Sequence, residues 1–153
     1  METDREIYEA IGGDLVRLAT VLVGPDEAPD VVSRVVARRL AKGPLSELRD
    51  PRSYLLRAVS NEAKNVRRSR SRADVAHHRM GVDAPAPDIA EGRFLDVTDA
   101  VMLLPGQQRA AVFLVYWMDM TAAEAAKVLR CRPATVRRYL SIARDSLRGV
   151  VDE

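Results

Sequence analysis

The stretch TAAEAAKVLRCRPATVRRYLSIARDSLR, residues 121–148, decides the fold. Thr121 followed by Glu124 has the spacing of a capping box, in which the hydroxyl caps the helix start and the carboxylate reaches back. A first helix therefore starts at Thr121. Arg130-Cys131-Arg132 breaks it, and Pro133, with no amide proton to lose, opens a second helix that runs to about Val150. Two helices joined by a three-residue turn form a helix-turn-helix, whose second helix enters the major groove of DNA. Val136, Leu140, Ala143 and Leu147 recur at helical spacing and make its inner stripe. Arg132, Ala134, Thr135, Arg137, Arg138 and Ser141 occupy its opposite side and N-terminal end. Small residues there allow close approach, and arginines can clamp phosphates or read guanine. The plainer alternative is a helical hairpin with a solvated basic face. Arg130 holds a turn position often given to Gly, because a left-handed backbone disfavours Arg.

Working outward, the remaining chain is helical in pattern. Ile7, Ile11, Leu15, Leu18 and Leu22 predict a helix over 4–23, which Gly24-Pro25 ends. Val31, Val32, Val35, Val36 and Leu40 predict a second over 26–42, although their β-branched run also fits a strand. Asp50 as N-cap and Pro51 as first residue open a third, with Leu55, Leu56, Val59, Ala63 and Val66 inward, ending at 68–72. Residues 73–95 carry Gly81, Pro85, Pro87 and Gly92 without periodicity and read as a flexible linker. From 73 to 99, Asp74, Asp83, Asp88, Glu91, Asp96 and Asp99 face only Arg79 and Arg93 among the arginines. A short helix over 96–104 and another from Pro105 to about Met118 lead into the helix-turn-helix. The expected fold is all-α: two small helical domains, 1–72 and 96–153, joined by the acidic linker 73–95, with the helix-turn-helix C-terminal.

Composition narrows the chemistry. All 24 basic residues except Lys42, Lys64 and Lys127 are arginine, while the net charge is only +2. Codon bias of a GC-rich genome explains the total but not the clustering. Cys131 is the one cysteine, so disulfide frameworks and Cys-based zinc sites within the chain are excluded. It is expected to fill a small apolar position, with Arg130 and Arg132 able to favour its thiolate. His77-His78 has no ligand partners at metal spacing. Tyr116 and Trp117 are expected to pack the C-terminal domain. No catalytic triad, phosphate loop or paired carboxylates occur, so neither an enzyme, a cofactor nor a metal is expected. The acidic start, Met1-Glu2-Thr3-Asp4, has no apolar run behind it, which predicts a cytoplasmic protein without a signal peptide.

A second constellation lies on the third predicted helix. At 100° per residue Arg57, Asn61, Lys64 and Arg68 share one face, with Tyr54 beside them and Arg67, Arg70 and Arg72 adding charge. Cations with a ring and an amide suit single-stranded or partly melted DNA: phosphates meet charge and an unstacked base is read on its edge. A solvated face, and the preference of helix C-termini for cations, are the competing explanations. On the second helix Asp26, Asp30, Ser33, Arg34 and Arg38 make an exposed mixed-charge face that could dock a partner helix.

Taken together, these segments resemble, in order, regions two and four of the extracytoplasmic-function sigma factors of the sigma-70 family. Leu104-Pro105-Gly106-Gln107-Gln108-Arg109 is similar to the family's Leu-Pro-x-x-x-Arg. Met120 to Ala126 resembles (Leu)-(Ser/Thr)-x-x-Glu-(Ile)-Ala, and Thr135 to Arg144 resembles Thr-Val-Lys-Ser-Arg-Leu-x-Arg-Ala-Arg. Asp26 to Val32 is similar to an Ala-Glu-Asp-Leu-Val segment, and Ser53 to Asn61 to Ala-Trp-Leu-x-x-Ile-Ala-x-Asn. Departures include Arg138 for a small residue, Tyr139 for Arg, Tyr54 for Trp, and Ser33-Arg34 for a Gln-acid pair.

The resemblance implies an alternative sigma factor that directs core RNA polymerase to promoters. Arg132, Ala134, Thr135, Arg137, Arg138 and Ser141 would read the −35 element. Tyr54, Arg57, Asn61, Lys64, Arg67 and Arg68 would engage the −10 element and aid strand opening. Asp30, Val31, Ser33, Arg34 and Arg38 would dock the β′ coiled coil, and the C-terminal domain the β flap. An anti-sigma factor is an implied partner, and the chain would be a monomer outside the holoenzyme. Membranes and small-molecule substrates are not expected partners. Two other functions fit the same residues: a stand-alone helix-turn-helix regulator, and a degenerate sigma-like protein that titrates an anti-sigma factor or polymerase.

Overall fold

Helix starts in this chain are fixed by local chemistry that the sequence spells out. The computed structural model describes residues 2–79, 100–101 and 103–151. Helix α1 spans Asp4–Val23 behind the N-cap Thr3, whose Oγ1 accepts from the Glu6 amide at 3.2 Å while Glu6 accepts from the Thr3 amide at 3.4 Å. Gly24 ends it at φ 92°, a conformation that glycine adopts without a Cβ clash. Helix α2 spans Ala28–Leu40, settling the helix-or-strand choice for the valine run as helix. A short 3₁₀ turn at Leu45–Glu47 follows, tied to α1 by the Leu45 amide donating to Asp4 at 2.7 Å.

Helix α3 spans Pro51–Arg79. Asp50 caps it as expected, accepting from the Ser53 amide at 3.2 Å and the Ser53 hydroxyl at 2.6 Å. The helix runs on past Arg72, where the sequence pattern ends it. Ser71, Arg72, Ala73 and their neighbours contain no Gly or Pro to stop it. The backbone of His77-His78 lies on this extension, so 73–79 of the expected linker 73–95 is helical; their side chains, like residues 80–99, lie outside the described residues.

The C-terminal unit begins with a helical pair at 100–101; the remainder of the short helix expected over 96–104 lies partly outside the described residues. Helix α4 spans Gly106–Val112 and passes into a π-helical turn at Phe113–Trp117. That turn interrupts the α-helix expected to run on to Met118, and it changes where two rings point. Tyr116 and Trp117 are 53% and 56% exposed, so they face outward instead of packing the domain. Helix α5 spans Ala122–Leu129 with the Thr121–Glu124 capping box formed, at 3.1 and 3.2 Å. Helix α6 spans Pro133–Val151.

No strand occurs among the described residues, and the all-α expectation holds. In the N-terminal unit Leu15, Leu18 and Leu22 of α1 meet Val31, Val32 and Val35 of α2 and Leu55, Leu56 and Val59 of α3, all nearly inaccessible to solvent. In the C-terminal unit Leu114, Ala125, Leu129, Val136, Leu140 and Ala143 do the same. Each such large side chain contributes roughly 1.5–3 kcal/mol by leaving water. One feature exceeds the sequence pattern: the two units pack together, α4 against α1 and α5 against α3, and their cores are continuous.

Candidate nucleic-acid interface

The inner stripe of α6 turns the other side of the helix to solvent. Val136, Leu140 and Ala143 are buried, and Leu147 is half-buried. Arg132, Ala134, Arg137, Arg138 and Ser141 are consequently exposed, with Thr135 half-buried at the edge. None of the ion pairs formed among the described residues uses Arg132, Arg137 or Arg138. Their guanidinium groups remain available for phosphates or base edges, and Ala134 and Ser141 leave room for a groove wall. Arg130 closes α5 in the left-handed region, at φ 54° and ψ 51°, despite carrying a side chain. Cys131 behind it is half-buried, and desolvation pushes its thiol up. This corrects the expectation that flanking arginines favour the thiolate: the one cation with an opposing effect is Lys64.

The α3 face assembles as its spacing predicts, but much of it is engaged within the protein. Tyr54 is 37% exposed, with the Arg39 guanidinium 5.7 Å from its ring centre. Arg57 is half-buried, and its Nε is enclosed without a hydrogen-bond partner among the described residues. Asn61, with its amide oxygen turned to Arg130, accepts from Nε at 3.2 Å and Nη2 at 3.1 Å. Lys64 donates to the Leu129 carbonyl at 3.0 Å, and burial followed by the nearby Arg67 charge lowers its pKa. Arg67 lies against Gly106, where a Cβ would sit 1.7 Å from Nη1. Burial also lowers the pKa of Arg67, with Arg109 and Arg70 adding repulsion. Arg68 is exposed. Lys64, Arg67, Arg68 and Ser71 border an open recess of ≈ 320 Å³.

A third feature lies between α2 and α3. Glu27, Asp30, Val31, Arg34, Glu62 and Arg70 are among the residues lining an open groove of ≈ 430 Å³. Asp30, Ser33, Arg34 and Arg38 are exposed as expected for a docking face. Val31, expected there too, is only 1% exposed. Helical spacing puts it on the stripe of Val35, so it walls the groove from beneath and offers no free surface. Glu62, a residue that sequence reading passed over, organises this face. Its side chain is 7% exposed and takes Arg34 at 2.7 Å and Arg38 at 3.4 Å. The Arg34 hydrogen bond holds the Glu62 carboxyl below its usual range against the opposing effect of burial. An acid five residues before the Arg-rich run that starts at Arg67, and one helix away from Arg34, was the available signal, but it becomes visible only once α2 and α3 are packed.

On the other side of the C-terminal unit an apolar groove of ≈ 300 Å³ lies between Val101, Val112, Tyr116, Trp117, Leu140 and Leu147. Arg144 donates to the Tyr116 hydroxyl at its edge, at 3.1 Å. Among the described residues no three potential metal ligands cluster, and no helix is long and apolar enough to cross a membrane.

Residues 94–147 match the family model described as Sigma-70, region 4. No curated protein matches the chain. Among several solved structures with this fold is the sigma factor RpoE in complex with the anti-sigma factor NepR, from Bartonella quintana. It is similar over 97% of this chain and 96% of its own, with a TM-score of 0.74 at 22% sequence identity. The first match covers the C-terminal unit alone, and the second shows a shared fold over nearly the whole chain.

Proposed function

We propose that this chain, which carries a sigma-70 region 4 on the fold of a sigma factor, is an alternative sigma factor that brings core RNA polymerase to its promoters. The observation that carries the reading is the exposed arginine set at the start of α6, which enters no ion pair among the described residues, within a helix-turn-helix that matches region four. Arg132, Arg137 and Arg138 engage the −35 element, with Ala134, Thr135 and Ser141 shaping the approach. The α3 face engages the −10 element: Asn61 offers an amide to an unstacked base, Tyr54 a ring, and Arg57, Lys64, Arg67 and Arg68 charge for the phosphates. The groove lined by Asp30 and Arg34, together with the exposed Ser33 and Arg38 of the same helix, receives the β′ coiled coil. The apolar groove beside Tyr116 and Trp117 suits an apolar helix of the β flap or of an anti-sigma factor. The stretch after α3, which runs to Arg79 rather than ending at 72, up to about residue 95 joins the N-terminal unit to the domain 96–153. Two weak DNA contacts on one enzyme then reinforce each other through effective concentration.

The activity follows from binding and deformation of DNA, with no covalent chemistry required of this chain. We place it in the cytoplasm, on the nucleoid when in holoenzyme. Transcription from genomic promoter fragments with purified core polymerase tests the reading. Discrete run-off products that depend on this chain are expected; core binding without any specific transcript would favour a titrating role instead.

A further inference from the structure

Arg39 is a buried cation that none of the proposed contacts uses. It lies on the last turn of α2 and is only 8% exposed. Arginine is seldom buried without partners, so its company is informative. Just past the helix end its guanidinium donates to the carbonyls of Gly43 at 3.4 Å and Pro44 at 3.3 Å. Its ion-pair partner Glu47 stands 4.0 Å away and is mostly exposed. The loop folds tightly back at this point, since a Cβ on Gly43 would lie 2.7 Å from Glu47 Oε2. Leu45, in the same loop, is fully buried, and its amide donates to Asp4 of α1 at 2.7 Å. The loop is thereby anchored to α1, and Arg39 is held against the loop.

The same guanidinium sits 5.7 Å from the centre of the Tyr54 ring, within cation–π range. Tyr54 stands in the first turn of α3 and is 37% exposed. No hydrogen bond among the described residues uses its hydroxyl, which leaves Arg39 as the polar group that orients the ring. A cation so deeply placed takes the protein side of the ring and leaves the solvent side to a ligand. Arg57 lies three residues on, at helical neighbour spacing, and its enclosed Nε has no hydrogen-bond partner among the described residues.

We propose that Arg39 is a positioning residue of the −10 face, holding the Tyr54 ring as a one-sided platform on which a single unstacked base lies. This rests on the reading of α3 as a DNA-binding face. The ring is presented already oriented, so binding a base does not have to immobilise it. With the guanidinium behind the ring and the base in front, three layers stack, and the ring takes one base and no second. Every base has a π face, so the platform tolerates any of them and leaves discrimination to neighbouring polar groups such as Asn61.

Variants of the full chain test this. Anisotropy of a fluorescein-labelled mixed-sequence single-stranded 12-mer reports binding. Quenching of one 2-aminopurine placed in the same strand reports stacking, and thermal melting confirms folding. Arg39→Gln keeps a donor for the loop carbonyls and removes the charge behind the ring. It is expected to weaken 12-mer binding about three- to tenfold, the equivalent of ordering one side chain, and to reduce the quenching. Binding of a duplex of the same sequence is expected to stay unchanged. Arg39→Lys keeps a cation behind the ring and is expected to recover most of the loss. Tyr54→Leu is expected to weaken 12-mer binding at least as much, and adding Arg39→Gln to it to weaken binding no further, because the two residues act through one platform. Arg39→Met, which fills the space without a charge, replaces Arg39→Gln with the same expected outcomes if the latter does not fold. A folded variant that binds and quenches like the wild type overturns the proposal. A loss that persists in full beside Tyr54→Leu also overturns it, and assigns Arg39 to holding the loop. If Tyr54→Leu itself binds the 12-mer like the wild type, the α3 reading falls and the platform falls with it.

Discussion

Arg137 and Arg138 project exposed from the first turns of α6 and enter no ion pair among the described residues, which leaves both guanidinium groups available for the proposed DNA contact. Replacing both by Ala is expected to leave the melting temperature within a degree or two and to weaken promoter DNA binding at least tenfold. If both clamp phosphates, the slope of log K against log salt falls by about 0.9 for each, which a titration over salt concentration measures. Asn61 is different because it takes part in two alternative contacts, with Arg130 in this structure and with a base in the proposed open complex. Asn61→Ala is expected to spare duplex binding and to depress open-complex formation, read by permanganate reactivity of the melted thymines. At Thr121 the hydroxyl caps the Glu124 amide. Thr121→Ala is expected to cost about 1 kcal/mol, within the usual range for a lost N-cap, and would appear as a lower melting temperature.

At the scale of elements, α2 and α3 are joined by Glu62 more than their apolar stripes reveal. Its carboxylate is nearly buried and accepts from two arginines that are each about half exposed. Glu62→Ala leaves those arginines without their acid. It is expected to cost roughly 1–2 kcal/mol, toward the low end because solvent already screens both guanidinium groups. The folded carboxyl lies below its unfolded value because of Arg34. Its stabilisation is therefore complete above the unfolded carboxylate pKa and is lost as pH falls through the folded one. Denaturant titrations from neutral toward acid pH should show the wild type losing its advantage over Glu62→Ala. Asp50, lowered by its Ser53 hydrogen bonds, adds a loss of the same sign at the start of α3. A parallel decline of wild type and Glu62→Ala across that range would assign the acid sensitivity elsewhere.

At the scale of the whole molecule, Lys64, Arg67, Arg109 and Arg130 gather where the helical units meet, and the charged forms of Lys64 and Arg67 are disfavoured first by burial and then by cationic neighbours. Salt screens that repulsion, with a Debye length near 10 Å at about 0.1 M. Raising the ionic strength is therefore expected to favour the closed arrangement, and scattering at low and high salt should give the smaller radius at high salt. DNA affinity falls with salt for its own reason, counterion release. If both proposed faces bind DNA, packing of the units on Asn61 and counterion release add for the α3 face, whereas the exposed arginines of α6 feel the second alone. A steeper salt slope for single-stranded than for duplex probes is the expected signature, and it should flatten in Arg130→Gly.

The sequence by itself determined most of the local structure. Thr3 with Glu6, Asp50 with Pro51, Thr121 with Glu124, and Gly24 mark helix ends through interactions within a few residues. The apolar spacing of α1, α3 and α6 named the buried stripes, and by subtraction the exposed arginines of α6. The end of α3 was less legible, since nothing between Arg72 and Arg79 forbids helix and an acidic run read as linker. Tyr116 and Trp117 were misplaced because a π-helical turn shifts the phase of every side chain after Phe113, and no periodicity announces it. Only the tertiary structure decided that Glu62 belongs to Arg34 and Arg38, and that Asn61 faces Arg130. Those partners lie between 24 and 69 residues apart, taking 38 to 62 for the nearest pair and 61 to 130 for the farthest. Pairing across such distances depends on how whole helices dock, a property no window of sequence contains. The helix-turn-helix at 121–148 was readable from its own residues, but the contact of its turn with Asn61 and Lys64 of α3 was not.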